Sequence, residues 1–286
     1  MLEVICTLLI FVALWTSSGY HPLFALLIWR IMSLTDSQWG ALVGAYSDGV
    51  LVVVGTILVS LVTYVTHGSL YLILDITKKP QWLYRYKLQP AKSFSVSLLK
   101  RIGSKLLLGY VIFIPYVWAL YRCEVIRVDM ISLPSSQEMG LELLVIILST
   151  EVCFYTSHWI LHWPSLYPHI HKIHHEFTSP VALVAGYAHP VEFFVSNIFS
   201  TTAGAWVYSP HLFTWYVWML FGVIGTQVHH SGYRFPWHWK VDHEPDFHDF
   251  HHEAFTSNFG LLGVMDYIFG TDRKYREHLN KRKAIR

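Results

Sequence analysis

His171-Lys172-Ile173-His174-His175 decides how this chain is read. Its spacing, H-x-x-H-H, returns in His248-Asp249-Phe250-His251-His252. On a helix, positions i, i+3 and i+4 share one face, so each segment is predicted to aim three imidazoles the same way. Upstream, His158 and His162 make an i, i+4 pair of the same kind. Fifteen of the 18 histidines fall between 158 and 252. A lone buried histidine is ordinarily a hydrogen-bonded core residue. Crowded imidazoles are a different case: charged, they repel, and neutral, their lone pairs lack donors. A metal ion removes both problems, because neutral imidazole is the commonest nitrogen ligand. His158, His162, His171, His174, His175, His248, His251 and His252 are therefore candidate ligands. So many donors exceed the four positions of one tetrahedral site and predict two ions, each with an open position. Such nitrogen-rich sites suit iron, zinc or copper. Zinc hydrolases usually mix carboxylates into the site, and the scarcity of carboxylates here favours oxygen chemistry.

Acids flank the triplets. Asp246, Asp249, Glu176 and Glu253 could accept the free imidazole N–H and fix its tautomer. For Asp246 and Glu253 the plainer reading is a helix-end charge facing water. Glu151 lies two turns before His158 inside an apolar stretch, where a carboxylate is costly and usually functional. It is expected to hydrogen-bond a ligand or a substrate headgroup. His189 and His230 are further candidate ligands, with His230 ranked above His229. His169 projects about 200° from His171 around a helix and is not expected to ligate. His211, His238, His243 and His278 are isolated, and His21 and His67 lie far upstream.

The rest of the chain reads as membrane support. It has 286 residues, 53% hydrophobic and only 14% charged, with net charge +2, which offers nothing for nucleic acid. Aromatic residues are abundant, as at a lipid–water boundary. Cys6, Cys123 and Cys153 form no C-x-x-C and suggest no disulfide framework. Residues 1–16 read as an anchor or half-helix rather than a signal peptide, and 22–32 as a short apolar run. Spans are predicted at 42–74, 106–121 and 140–161. Between the first two lies a basic stretch, 75–105, with Lys78, Lys79, Arg85, Lys87, Lys92, Lys100, Arg101 and Lys105; by the positive-inside bias it faces the cytosol. The hairpin then brings His158 and His162 to that same side. Residues 169–177 are predicted as a short helix, 191–225 as a broken re-entrant pair or surface hairpin, and Pro245 as the start of the second H-x-x-H-H helix. Aromatic residues in 206–221 are expected to form a bilayer-facing core, the alternative being that they line a lipid pocket. The expected fold is all-α: a multi-pass transmembrane helical bundle under a cytosolic, histidine-rich helical cap. It divides into an anchor region (1–139), a di-metal domain (140–275) and a basic tail (276–286), the tail lying at the anionic membrane surface.

Over residues 140–275 the sequence resembles the fatty acid hydroxylase superfamily of membrane di-metal oxygenases. The marks are His158-x3-His162, His171-x2-His174-His175-Glu176, Tyr187-Ala188-His189-Pro190, His230-Ser231-Gly232-Tyr233, His248-Asp249-Phe250-His251-His252 and Phe269-Gly270-Thr271-Asp272. The Ala-His-Pro and His-Ser-Gly-Tyr elements resemble the sterol branch. Two departures stand out. The family often reads His-Arg-Leu-Leu-His where this chain has His158-Trp159-Ile160-Leu161-His162. Thr226 stands four residues before His230, where the fatty acid branch has a further histidine ligand; His189 would complete the set.

The resemblance implies hydroxylation of an unactivated C–H bond, most simply on a sterol, with successive oxidation of a C4 methyl group. It implies two iron ions, with zinc the alternative occupant of purified protein, and O2. Electrons would come from NAD(P)H through cytochrome b5 and its reductase, since the chain carries no flavin or dinucleotide fingerprint. It also implies the endoplasmic reticulum membrane. Other readings are a fatty acyl or sphingolipid hydroxylase and a non-catalytic sterol-binding or regulatory protein. A bis-histidine haem protein fits packed triplets poorly, since haem takes two opposed ligands.

Overall fold

The computed structural model describes residues 34–90, 98–128, 132–236 and 245–284. The expected apolar segments 1–16 and 22–32, with His21, His238 and His243, lie outside these residues. The described residues are mostly helical and form no sheet. Helix α1 (Asp36–Ala45) starts on a capping box, in which Thr35 and Gln38 each accept the other's backbone N–H. Three helices follow that are long and apolar enough to cross a bilayer: α2 (Val50–Thr77), α3 (Leu98–Arg122) and α4 (Ser136–Leu161). They match the three predicted central spans, with ends displaced by up to eight residues. Their outward faces carry exposed Leu58, Val62, Leu107, Val111, Leu144 and Leu148, the pattern expected against lipid tails.

The first turns of α2 are π-helical, over Val50–Gly55. A side chain from a later helix intrudes there: the Tyr216 hydroxyl donates to the Leu51 carbonyl, and a Cβ on Gly55 would fall 2.0 Å from the Tyr216 hydroxyl oxygen. The basic stretch is less uniformly solvated than expected. Lys87 is buried, 2.8 Å from Asp75, whose carboxylate also accepts the Tyr233 hydroxyl at 2.7 Å. Lys100, Arg101 and Lys105 belong to the first turns of α3.

Residues 190–207 form one continuous helix, α5. It is an α-turn (Pro190–Glu192), a π segment (Phe193–Phe199) and an α segment (Ser200–Val207). With α6 (Leu212–His229) it makes a helical hairpin. Helix α5 lies close along α4 because small residues line the contact. A Cβ on Gly204 would meet the Ile146 Cα at 2.4 Å, and Ser157 bonds to both Ser196 and Ser200. Helix α6 fills the centre. Trp215 donates to Thr56 on α2 at 2.8 Å, and Gln227 joins the Tyr64 carbonyl to His67. Of the aromatics in 206–221, Trp206 and Tyr208 are exposed, Phe213 and Trp215 are core residues packed against protein, and the buried Trp218 and Phe221 line an internal cavity, as the pocket alternative has it. Helix α6 is surrounded by its neighbours, so its rings pack against protein.

The chain closes with α7 (Asp246–Ala254), α8 (Val264–Phe269) and α9 (Arg273–Ala284). The first H-x-x-H-H lies on a 3₁₀ turn, His171–Glu176, rather than an α-helix. This tighter form is the usual one for so short a segment.

Candidate metal centre

Four segments from distant parts of the chain bring nine imidazoles together. His158 and His162 close α4, the 3₁₀ turn brings His171, His174 and His175, His230 follows α6, and α7 brings His248, His251 and His252. They form two groups. One holds His158, His162, His171, His175 and His251; the other holds His174, His230, His248 and His252. Within each, the candidate ligand atoms lie within 4.8 Å of one another. Each triplet is therefore divided, two rings to one group and one to the other. Consecutive residues diverge by about 100° around a helix, so the last two histidines of H-x-x-H-H cannot address one point. Three rings aimed alike was too simple an expectation.

The ring nitrogens show what belongs between them. His174 Nδ1 is 3.1 Å from the Tyr187 carbonyl and His230 Nδ1 is 2.7 Å from the Thr226 carbonyl. Each Nδ1 must therefore carry the hydrogen, which leaves a bare lone pair on Nε2. Those two Nε2 atoms face each other at 3.1 Å. In the other group, Nδ1 of His158 and of His251 are tied at 2.7 Å to the carbonyls of Phe259 and Ser257. There His175 Nε2 has three Nε2 neighbours, from His162, His171 and His251, at 3.3, 3.0 and 3.1 Å, and one hydrogen can satisfy only one of them. Lone pairs in this arrangement repel unless a cation lies among them. Nitrogens about 3 Å apart are right-angle neighbours on an ion with bonds of roughly 2.1 Å. The donor set fits one metal ion per group.

Burial supports the same conclusion. Desolvation lowers the pKa of His248, His251 and His252 well below the usual value, and that of His174 to about 4. The rings are thus neutral, the form that coordinates.

The predicted supporting acids are placed otherwise. Glu151 accepts the backbone N–H groups of Leu261, Leu262 and Met265 at 3.0, 2.7 and 2.9 Å and bonds to no histidine among the described residues. The turn leading into α8 points its amides at α4, and buried amides need an acceptor. Glu176 pairs with Arg101 and accepts the Tyr187 hydroxyl at 2.9 Å, so it reaches His174 only through Tyr187. Asp249 accepts from Gln89 at 2.9 Å, and burial pushes its pKa up to about 6. Asp246 lies 3.9 Å from Arg234, and Glu253 is exposed. His189 stands outside both groups: its Nδ1 accepts the Val191 N–H at 3.2 Å as the cap of α5. Pro190 at the first helical position makes that capping role natural.

Sequence reasoning missed Glu192. Its carboxylate is buried, and Oε1 lies 2.8 Å from His171 Nδ1, off the straight N–H direction. The signal was available in His189-Pro190-Val191-Glu192, an acid one turn into a buried helix. A lipid pocket was the lesser expectation for the aromatics of 206–221, and Trp218 and Phe221 do line one. A space of about 260 Å³ lies among α2 to α6, walled by Phe113, Phe154, Trp218 and Phe221. It ends on His230 and His248, so it reaches the four-histidine group and touches no ring of the five-histidine group.

A family model described as fatty acid hydroxylase matches residues 143–271. The chain is 34% identical to human fatty acid hydroxylase domain-containing protein 2, over 94% of this chain and 81% of that protein. It is 32% identical to methylsterol monooxygenase 2-2 of Arabidopsis thaliana, over 85% of this chain and 94% of that protein. It is 33% identical to fatty acid hydroxylase ahd1 of Mycosarcoma maydis, over 73% of this chain and 54% of that protein. No solved structure matches the chain.

Proposed function

The chain belongs to the fatty acid hydroxylase family, and from that premise we propose that it oxidises the C4 methyl group of a sterol in the endoplasmic reticulum membrane. In this reading two iron ions occupy the histidine groups, O2 is the oxidant, and electrons come from NAD(P)H through cytochrome b5 and its reductase. Bound there, the metal pair supplies the activation of O2 that an unreactive C–H bond requires. The observation that carries the reading is the pairing of opposed Nε2 lone pairs with an apolar cavity that opens onto one of the two groups. His158, His162, His171, His175, His251, His174, His230, His248 and His252 hold the metals. Backbone carbonyls of Phe259, Ser257, Tyr187 and Thr226 fix their tautomers. The cavity walls exclude water and present hydrocarbon to the four-histidine group. That group has fewer protein donors than its neighbour, which leaves more room beside it. The basic residues before and within the start of α3 support a cytosolic metal site.

Similarity to a methylsterol monooxygenase supports the sterol. Similarity to a protein named a fatty acid hydroxylase favours a second reading, hydroxylation of an acyl or sphingolipid chain. Lipid profiles of cells with and without the gene separate them. Accumulated 4-methylsterols are expected. Loss of 2-hydroxy acyl chains with unchanged sterols would select the second reading. Full complementation by His174→Ala would replace both with a non-catalytic role.

A further inference from the structure

The cavity is apolar, yet several polar side chains line it. Most are engaged with the protein. Ser60 donates to Ile57, Tyr64 to Leu183, Tyr110 to Ser60, and Thr150 to Ile146. Ser196 donates to Ser157, Asn197 to Ala185, and Thr201 to Ile198. Two differ. The Thr226 hydroxyl and the His229 ring make no hydrogen bond among the described residues, although His229 is only 9% exposed. They sit three residues apart on α6, on one face, with Cβ atoms about 5–6 Å apart. That face is also hollowed: Gly225 would find nothing within 4 Å of an added Cβ, and Gly222 only the Trp218 ring at 3.9 Å. His230, a member of the four-histidine group, is the next residue, and its Nδ1 rests on the Thr226 carbonyl. Unpaired polar groups thus cluster at the metal end of a cavity that is otherwise internally satisfied. Thr226 is half-buried and both groups line the cavity, so they are free to hydrogen-bond a molecule that enters it.

We infer that Thr226 and His229 form a polar subsite that holds the oxygen of a lipid substrate within a few bonds of the carbon that is oxidised. The inference rests on the hydroxylase reading only for that last clause. A neutral imidazole offers one donor and one acceptor, and a threonine hydroxyl offers both. They therefore fit a hydroxyl or a carbonyl on an otherwise hydrocarbon molecule. A 3-hydroxyl next to a C4 methyl group has this geometry, and so does an acyl carbonyl next to its second carbon. The subsite would set the position of attack by fixing the oxygen rather than by enclosing the whole chain.

The test is equilibrium binding to the purified full-length, metal-loaded protein in detergent. One arm compares a 4-methyl-3-hydroxysterol with its 3-deoxy analogue. The other compares a long-chain fatty amide with the alkane of equal length. Wild type is expected to prefer the oxygenated member of one pair by about tenfold or more, as sites built to hydrogen-bond reject analogues that cannot. The arm that shows the preference names the source of the oxygen. His229→Leu and the near-isosteric Thr226→Val should each reduce the preference, and the double variant should abolish it, with metal content at the wild-type level. His229→Gln should restore part of it. No preference in either arm, a preference that survives in the double variant, or loss of metal in His229→Leu would overturn the inference. Product formation is assayed separately, so a preference without product would leave the subsite standing and remove the hydroxylase reading.

Discussion

Replacing Glu192 with leucine should weaken one metal site and spare the other. The Glu192 carboxylate lies 2.8 Å from His171 Nδ1, and His171 belongs to the five-histidine group alone. Carboxylates that hold a ligating imidazole are worth about 10–100-fold in metal affinity, roughly 1.4–2.8 kcal/mol. Glu192→Leu should therefore weaken one ion by that factor and leave the second unchanged. The metal-free protein should respond in the opposite direction. Burial pushes the Glu192 carboxyl well above its usual pKa, and its Oε2 has no hydrogen-bond partner. An apolar replacement of similar size removes that desolvation penalty and should leave the chelated protein as stable or more stable. The assay is chelator competition for metal affinity, with thermal unfolding of loaded and chelated protein. Two ions bound at wild-type affinity would refute the reasoning, and so would loss of the ion held by His174, His230, His248 and His252.

Other consequences follow from the packing. Glu151→Leu strands three buried amides at about 1 kcal/mol or more each, so the thermal midpoint should fall, by about 3 kcal/mol of stability or more; an unchanged midpoint would show that the 261–265 turn is held by something else. Gly204→Ala puts a Cβ 2.4 Å from the Ile146 Cα and should force α5 away from α4, costing about 1–3 kcal/mol, again read by thermal unfolding. Acid should destabilise the metal-free protein. The buried histidines have folded pKa values below the unfolded 6.5, so the unfolded chain binds more protons as pH falls below that value. Each such ring removes about 1.4 kcal/mol per pH unit in that range, and a midpoint that stays flat from pH 7 to 5 would contradict the burial described.

Much of this was legible in the sequence, for reasons that differ by element. The spans at α2, α3 and α4 announce themselves because lipid demands long apolar runs with few charges. The histidine groups were legible because no ordinary core gathers so many imidazoles at helical spacing. The division of each triplet between two groups was not, since it depends on how four segments meet in space. Glu151 misled because its cost in a membrane span is real, while its partners, the amides 261, 262 and 265, lie more than a hundred residues away. The contact of Glu192 with His171, and the joint place of Thr226 and His229 on the cavity, became visible only once α5 and α6 were seen against the metal groups. Those relations come from tertiary packing, and no local pattern encodes them.

Anomalous X-ray scattering from the metal-loaded protein tests the central claim most directly. The account predicts two peaks, one among His158, His162, His171, His175 and His251, the other among His174, His230, His248 and His252. A single peak, or a second one outside these rings, would contradict it.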